Sequence, residues 1–237
     1  MVDEPPWRRP PDNVRLPGRQ VHVWRARLDL PRPRQAALLS VLSFEERARA
    51  EGFRSERDRA RFIAAHGLLR IVLGLYLSTP PGRIAFSGGA YGKPQLNADC
   101  ASSLKFNMSH SDALALFAVS RGREVGVDVE RIRPGPPMAD LAKRLFSPGE
   151  TAALLALPAE RLPTAFFECW TRNEALLKAT GRGWSAPCVQ GERRGLGAET
   201  SRWSVWGLSV RRGYAAAVAA EGHDWTLKCW RHVEPGA

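Results

Sequence analysis

The segment from Arg57 to Leu77 constrains this chain more than any other. At helical spacing it places Phe62, Ala65, Leu69, Val72, Leu73 and Tyr76 on one face. Its apolar run, Phe62 to Leu77, is about 16 residues long and carries His66 and Arg70, so it reads as a core helix rather than a membrane span. Ser78-Thr79-Pro80-Pro81-Gly82 stops it. A second long helix is expected from about Pro163 to Thr180, ended by Gly181. The strand pattern at Ala113 to Val119 returns as Tyr214 to Ala220, and both echoes have an offset of roughly 100 residues. Two similar α+β halves, 1–120 and 121–237, fit this order, with Arg121-Gly122-Arg123 as the hinge.

Other elements follow from local pattern. Residues 1–20 hold five prolines and read as an extended strap or tail. His22 to Leu28 alternates like a strand, and Leu38 to Gly52 has helical spacing. Short strands are expected at Arg83 to Phe86, in a segment ending near Phe106, and at 113–119, with Ser109 and His110 between two of them. Val125, Val127 and Val129 alternate with Gly126, Asp128 and Glu130 in a further strand. Ser147-Pro148-Gly149-Glu150 has the form of a helix start, Ser as N-cap and Glu three residues on. Ser201 to Trp230 reads as strands.

The 237 residues are 44% hydrophobic and 25% charged, globular values that exclude wholesale disorder. The opening Met1-Val2-Asp3-Glu4-Pro5-Pro6 has no apolar signal region, and Cys100, Cys169, Cys188 and Cys229 lie too far apart for a zinc or disulfide framework. A cytoplasmic protein is expected. The net charge of +11 raises nucleic acid, acidic proteins or phosphorylated small molecules as partners. The excess is spread along the chain, there is no polybasic run, and no recognition-helix motif or interleaving of aromatic and basic residues accompanies it. The reading is therefore no nucleic acid and no membrane.

Asp128 and Glu130 share one strand face about 7 Å apart. Such a pair is either a solvated face or the start of a divalent metal site. On the second long helix, Phe166, Phe167, Trp170 and Leu177 define an apolar arc that contains Glu174 and has Lys178 at its edge. A surface Glu–Lys pair is one reading. A carboxylate directed inward, to be neutralised by a partner or a metal, is the other. With Asp128 and Glu130 it would offer Mg²⁺ three oxygens. Ser109 and His110 suit phosphate contact better than a Ser-His-Asp triad, because adjacent residues cannot easily present both groups to one carbon.

These segments together resemble the phosphopantetheinyl transferases of the surfactin-synthetase-activating type. The resemblance rests on Arg61-Phe62-x6-Leu69-Arg70, Tyr91-Gly92-Lys93-Pro94, Phe106-Asn107-x-Ser109-His110-Ser111, Gly126-Val127-Asp128-Val129-Glu130 and Phe146-Ser147-x2-Glu150. It continues with Trp170-Thr171-x2-Glu174-Ala175-x2-Lys178-x2-Gly181-x-Gly183, and Gly213-Tyr214-Ala215-x-Ala217-Val218 resembles the family's last strand. The resemblance implies an α+β pseudo-dimer, each half a small antiparallel sheet on a long helix, with coenzyme A and Mg²⁺ in the cleft. It implies transfer of the 4′-phosphopantetheine arm from coenzyme A to a serine of an acidic acyl or peptidyl carrier protein, releasing adenosine 3′,5′-bisphosphate, by a monomer. Asp128, Glu130 and Glu174 would be metal ligands. Arg49, Arg61, Lys93, Ser109, His110 and Lys178 would contact coenzyme A. Glu174 would be the base for the serine proton, directly or through a water, and Lys178 would stabilise the leaving bisphosphate. Glu150 matches a position near the site and is equally a helix cap. The family usually has lysine before the helix glutamate. Here that residue is Asn173, which points to weaker coenzyme A binding, altered selectivity or a binder that has lost transfer.

Overall fold

The computed structural model describes residues 6–88, 94–97, 103–133, 138–181 and 200–232. Lys93, Cys100, Gly183 and Cys188 lie outside the described residues. Among the described residues the order is β1 (Gln20–Arg27), α1 (Arg32–Ser40), α2 (Phe44–Glu51), α3 (Glu56–Leu77), β2 (Phe86–Gly88), β3 (Pro94–Leu96), β4 (Leu104–Ser111), β5 (Leu114–Arg121) and β6 (Val125–Arg131). Then come α4 (Met138–Leu145), α5 (Pro148–Leu155), α6 (Leu162–Thr180), β7 (Trp203–Gly207), β8 (Tyr214–Glu221) and β9 (Thr226–Arg231).

The fold has four layers. A four-stranded sheet runs β4-β5-β1-β9, and a three-stranded antiparallel sheet runs β6-β8-β7. α3 covers the outer face of the first sheet through Phe62, Ala65, Leu69, Val72 and Leu73, which pack with Trp24, Phe106 and Phe117. The inner face carries Val21, Val23, Leu114 and Leu116 and packs against Val125, Val127, Val129 and Val218 of the second sheet. α6 covers the far side of that sheet, where Ala175, Leu176 and Ala179 meet Ala217 and Ala219. This explains β5, buried on both faces from Leu114 to Ser120: its alternate residues serve two different cores. The chain also crosses back, because β9 pairs in parallel with β1 and so places the last strand in the first sheet.

Several sequence expectations need adjustment. The 38–52 segment is two helices, broken where Ser43 starts a capping box with Glu46. The Ser147–Glu150 box is present and opens α5. The strand expected to end near Phe106 instead starts at Leu104 and runs to Ser111, so Ser109 and His110 lie within it and not between strands. Its polar alternation resembles a loop, but Asn107 and Ser109 are buried against β6 rather than solvated. Residues 81–83 form a single 3₁₀ turn, and the short strand after it begins at Phe86. By length and hydropathy α3 alone among the described helices could cross a membrane, yet most of it is buried in this core.

Candidate active site

Gly126 sets the approach of α6. A Cβ at this position would lie 2.1 Å from the Ala175 carbonyl oxygen and 2.4 Å from the Ala179 nitrogen. Only glycine lets the helix backbone rest directly on β6. The helix then runs to Gly181, whose φ of 68° ends it in the left-handed conformation.

That contact brings Lys178 onto β6. Its Nζ lies 2.7 Å from Asp128 Oδ1. The same oxygen accepts a hydrogen bond of 2.8 Å from Ser109 Oγ. Asp128 is 3% exposed, and its other oxygen, Oδ2, is buried with no hydrogen-bond partner among the described residues. Glu130, two residues on, accepts from Ser111 Oγ at 2.7 Å. Burial, reinforced by the negative charge of Asp128, pushes the Glu130 carboxyl above the usual carboxylate value, against the Ser111 hydrogen bond and the Lys178 charge. Glu174, one turn before Lys178, is 9% exposed. The inward-facing alternative for this helix glutamate therefore holds.

Among the described residues, no group of three His, Cys, Asp or Glu side chains is already gathered as a metal cluster. The donor chemistry nevertheless suits a hard cation. Asp128, Glu130 and Glu174 are all-oxygen donors, and a buried carboxylate oxygen without a hydrogen-bond donor is a place where positive charge is favourable.

The basic residues divide into two kinds. Arg61, 8% exposed, is already occupied: its Nε and Nη2 donate to the Asp29 carboxylate at 2.8 and 3.1 Å, and Nη1 donates to Asp112. It joins the start of α3 to the end of β1 and to the β4–β5 turn. Arg49 is exposed at the end of α2, its guanidinium 5.6 Å over the Phe62 ring. His66 also packs on that ring, 4.0 Å between centroids, and bonds Glu46 through Nδ1 at 3.0 Å. His110 lies on the α3 side of β4. Packing around its ring, then the charges of His66, Lys178, Arg49 and Arg61, pull its pKa below the usual imidazole value. An anion bound here would meet the charges of Arg49 and Lys178 and the imidazoles of His66 and His110. Lys93 lies outside the described residues.

Asn173 Nδ2 donates to Glu150 Oε1 at 3.3 Å and to the Cys169 carbonyl at 3.0 Å. Glu150 Oε2 meanwhile caps α5 through the Ser147 amide at 2.9 Å. Glu150 thus ties α5 to α6 as well as capping. Sequence reasoning missed Asn107 and Ser111, both of which bond β6, and also the Asp29–Arg61–Asp112 joint. The period-two run Asn107, Ser109, Ser111 was the available signal. An open groove of about 790 Å³ borders α6 and the β7–β8 connection, lined by Arg172, Arg211, Arg212, Glu168 and Tyr214 among others.

Comparison with known proteins identifies the family. Residues 124–219 match the family described as the 4′-phosphopantetheinyl transferase superfamily, and residues 31–121 match that of the 4′-phosphopantetheinyl transferase N-terminal region. The chain is 40% identical over 233 residues to the 4′-phosphopantetheinyl transferase HetI of Nostoc sp., covering 95% of this chain and 98% of that one. It is 36% identical to the 4′-phosphopantetheinyl transferase psf-1 of Bacillus pumilus over 74% of this chain and 70% of that one. With the 4′-phosphopantetheinyl transferase Sfp of Bacillus subtilis it shares 30% identity over 63% and 64% of the two chains. With both halves matched and β6 and α6 forming one carboxylate-and-lysine site, the chain belongs to the 4′-phosphopantetheinyl transferase superfamily and is an enzyme of that kind.

Proposed function

We propose that this enzyme moves the phosphopantetheine arm of coenzyme A onto a serine of an acidic carrier protein in a Mg²⁺-dependent reaction, releasing adenosine 3′,5′-bisphosphate. The observation that carries the reading is the Lys178–Asp128 contact, beside Glu130 and one helical turn from the buried Glu174. In the reaction the serine oxygen forms a bond to the phosphorus that bears the pantetheine arm. The bond from that phosphorus to the bridging pyrophosphate oxygen breaks, and the bisphosphate leaves with the electron pair. Glu174 takes the serine proton. Lys178 offsets the negative charge that grows on the leaving oxygen. Arg49 and His110, with His66 nearby, attract the nucleotide end. Asp128, Glu130 and Glu174 would hold Mg²⁺, which when bound neutralises pyrophosphate charge. A monomer suffices, because both halves of the site come from one chain.

Incubating an apo carrier protein with coenzyme A, Mg²⁺ and the enzyme, then weighing the carrier by mass spectrometry, tests this. A gain of one phosphopantetheine, absent with EDTA and absent with Glu174→Ala, is expected. No gain on several diverse carriers, despite coenzyme A binding, would replace the reading with that of a binder.

A further inference from the structure

β4 and β6 lie side by side without a backbone ladder between them: β4 pairs with β5, and β6 pairs with β8. Side chains of β4 take the ladder's place. Asn107 Oδ1 accepts from the Val127 amide at 2.9 Å, Ser109 Oγ from the Val129 amide at 3.4 Å, and Ser111 Oγ from the Arg131 amide at 3.1 Å, each partner twenty residues further on. Among the described residues Asn107 satisfies one amide and bonds neither carboxylate. The two serines also donate, Ser109 to Asp128 Oδ1 at 2.8 Å and Ser111 to Glu130 Oε2 at 2.7 Å. A hydroxyl fixed by an incoming amide can turn its own proton only toward the remaining acceptor, so each serine holds one carboxylate in one orientation.

We infer that Ser109 and Ser111 are positioning residues that aim Asp128 and Glu130 at the cation, while Asn107 only joins the strands. The inference deepens the magnesium reading above and rests on it. It gives Ser109 a role other than the nucleotide contact implied by the family resemblance. His110, of opposite parity, is left to face the nucleotide half.

The test is calorimetric titration of Mg²⁺ into the full-length, coenzyme A-loaded enzyme and its variants, with coenzyme A affinity measured separately in EDTA. Ser109→Ala and Ser111→Ala are each expected to weaken Mg²⁺ about tenfold, the usual cost of removing a hydrogen bond to a metal-ligating carboxylate. Coenzyme A affinity in EDTA should change less than twofold, and Ser109→Thr and Ser111→Thr should restore metal affinity. Ser111 is only part-buried, so Ser111→Ala keeps the test available if Ser109→Ala does not fold. Unchanged Mg²⁺ affinity in the alanine variants overturns the positioning role. So does a loss of coenzyme A affinity in EDTA as large as the loss for Mg²⁺, which would make Ser109 a nucleotide contact. A wild-type enzyme that binds no Mg²⁺ overturns the magnesium reading itself, and the inference with it.

Discussion

Lys178 Nζ and Asp128 Oδ1 lie 2.7 Å apart although fifty residues separate them in the chain. The Asp128 side chain is 4% exposed and that of Lys178 30%, so solvent reaches the ammonium side of the pair. The lysine thus links the helix to the carboxylate strand while keeping an open approach for an anion.

Replacing Lys178 should harm catalysis and folding differently. In the proposed reaction Lys178→Ala would lose the charge opposite the leaving oxygen, and kcat is expected to fall about 100-fold. The buried Asp128 also loses a partner, at roughly 1–3 kcal/mol of stability. Lys178→Arg should recover most of the stability and little of the rate, because the planar fork does not match a site built around a point charge. Steady-state kinetics and chemical denaturation separate the two effects. Equal recovery of both would refute the assignment.

His22 makes stability pH-dependent. It is 1% exposed, with Nδ1 on Tyr76 at 2.8 Å and Nε2 on Gln20 at 3.0 Å. Burial, helped by the charge of Lys228, lowers its pKa to about 4. The folded state therefore prefers the neutral ring, while the unfolded chain takes up a proton near pH 6.5. The stabilisation is full above about 6.5 and is lost as pH falls towards 4, by roughly 3 kcal/mol. Unfolding free energies of wild type and His22→Gln should differ in slope across that range, so that the gap between them changes by this amount from its upper to its lower end. Parallel curves would show that His22 is not the titrating group.

Gly126→Ala should be among the costliest small substitutions. The new methyl would meet helix backbone, which cannot rotate away, whereas Gly149 has nothing within 4 Å of the same hypothetical atom. Overpacking of this kind costs about 2–3 kcal/mol or more. Gly149→Ala, in the first turn of α5, should be neutral or slightly stabilising. Thermal melting of the two variants reads the contrast, and a Gly126→Ala enzyme with wild-type stability and activity would show that α6 does not rest on β6 at this glycine.

On the proposed reading of an acidic carrier, the groove beside α6 where Arg172, Arg211 and Arg212 outnumber Glu168 is the expected docking surface. Charge reversal at Arg211 and Arg212 together should raise the carrier KM about tenfold and flatten its salt dependence, with coenzyme A affinity unchanged. An unaltered carrier KM would place docking elsewhere.

Much of this molecule was legible in the linear chain. The two long helices, the capping box at Ser147, the left-handed stop at Gly181 and the carboxylates on one face of β6 all follow from local rules of period and cap, whereas the box at Ser43 that divides α1 from α2 was passed over. What local rules cannot carry is which surface an element meets. The polar alternation of β4 looks solvated until β6 lies beside it and turns Asn107 and Ser109 into buried acceptors. Nothing around Arg61 in the chain shows that Asp29, just after β1, and Asp112, in the β4–β5 turn at the same end of the sheet, take up its guanidinium. Most secondary elements and the set of reactive groups could be read along the chain, because both depend mainly on neighbours a few residues away. Which of those groups are already bound to one another emerged from the packed fold alone, because such partnerships depend on separations through space that chain distance does not encode.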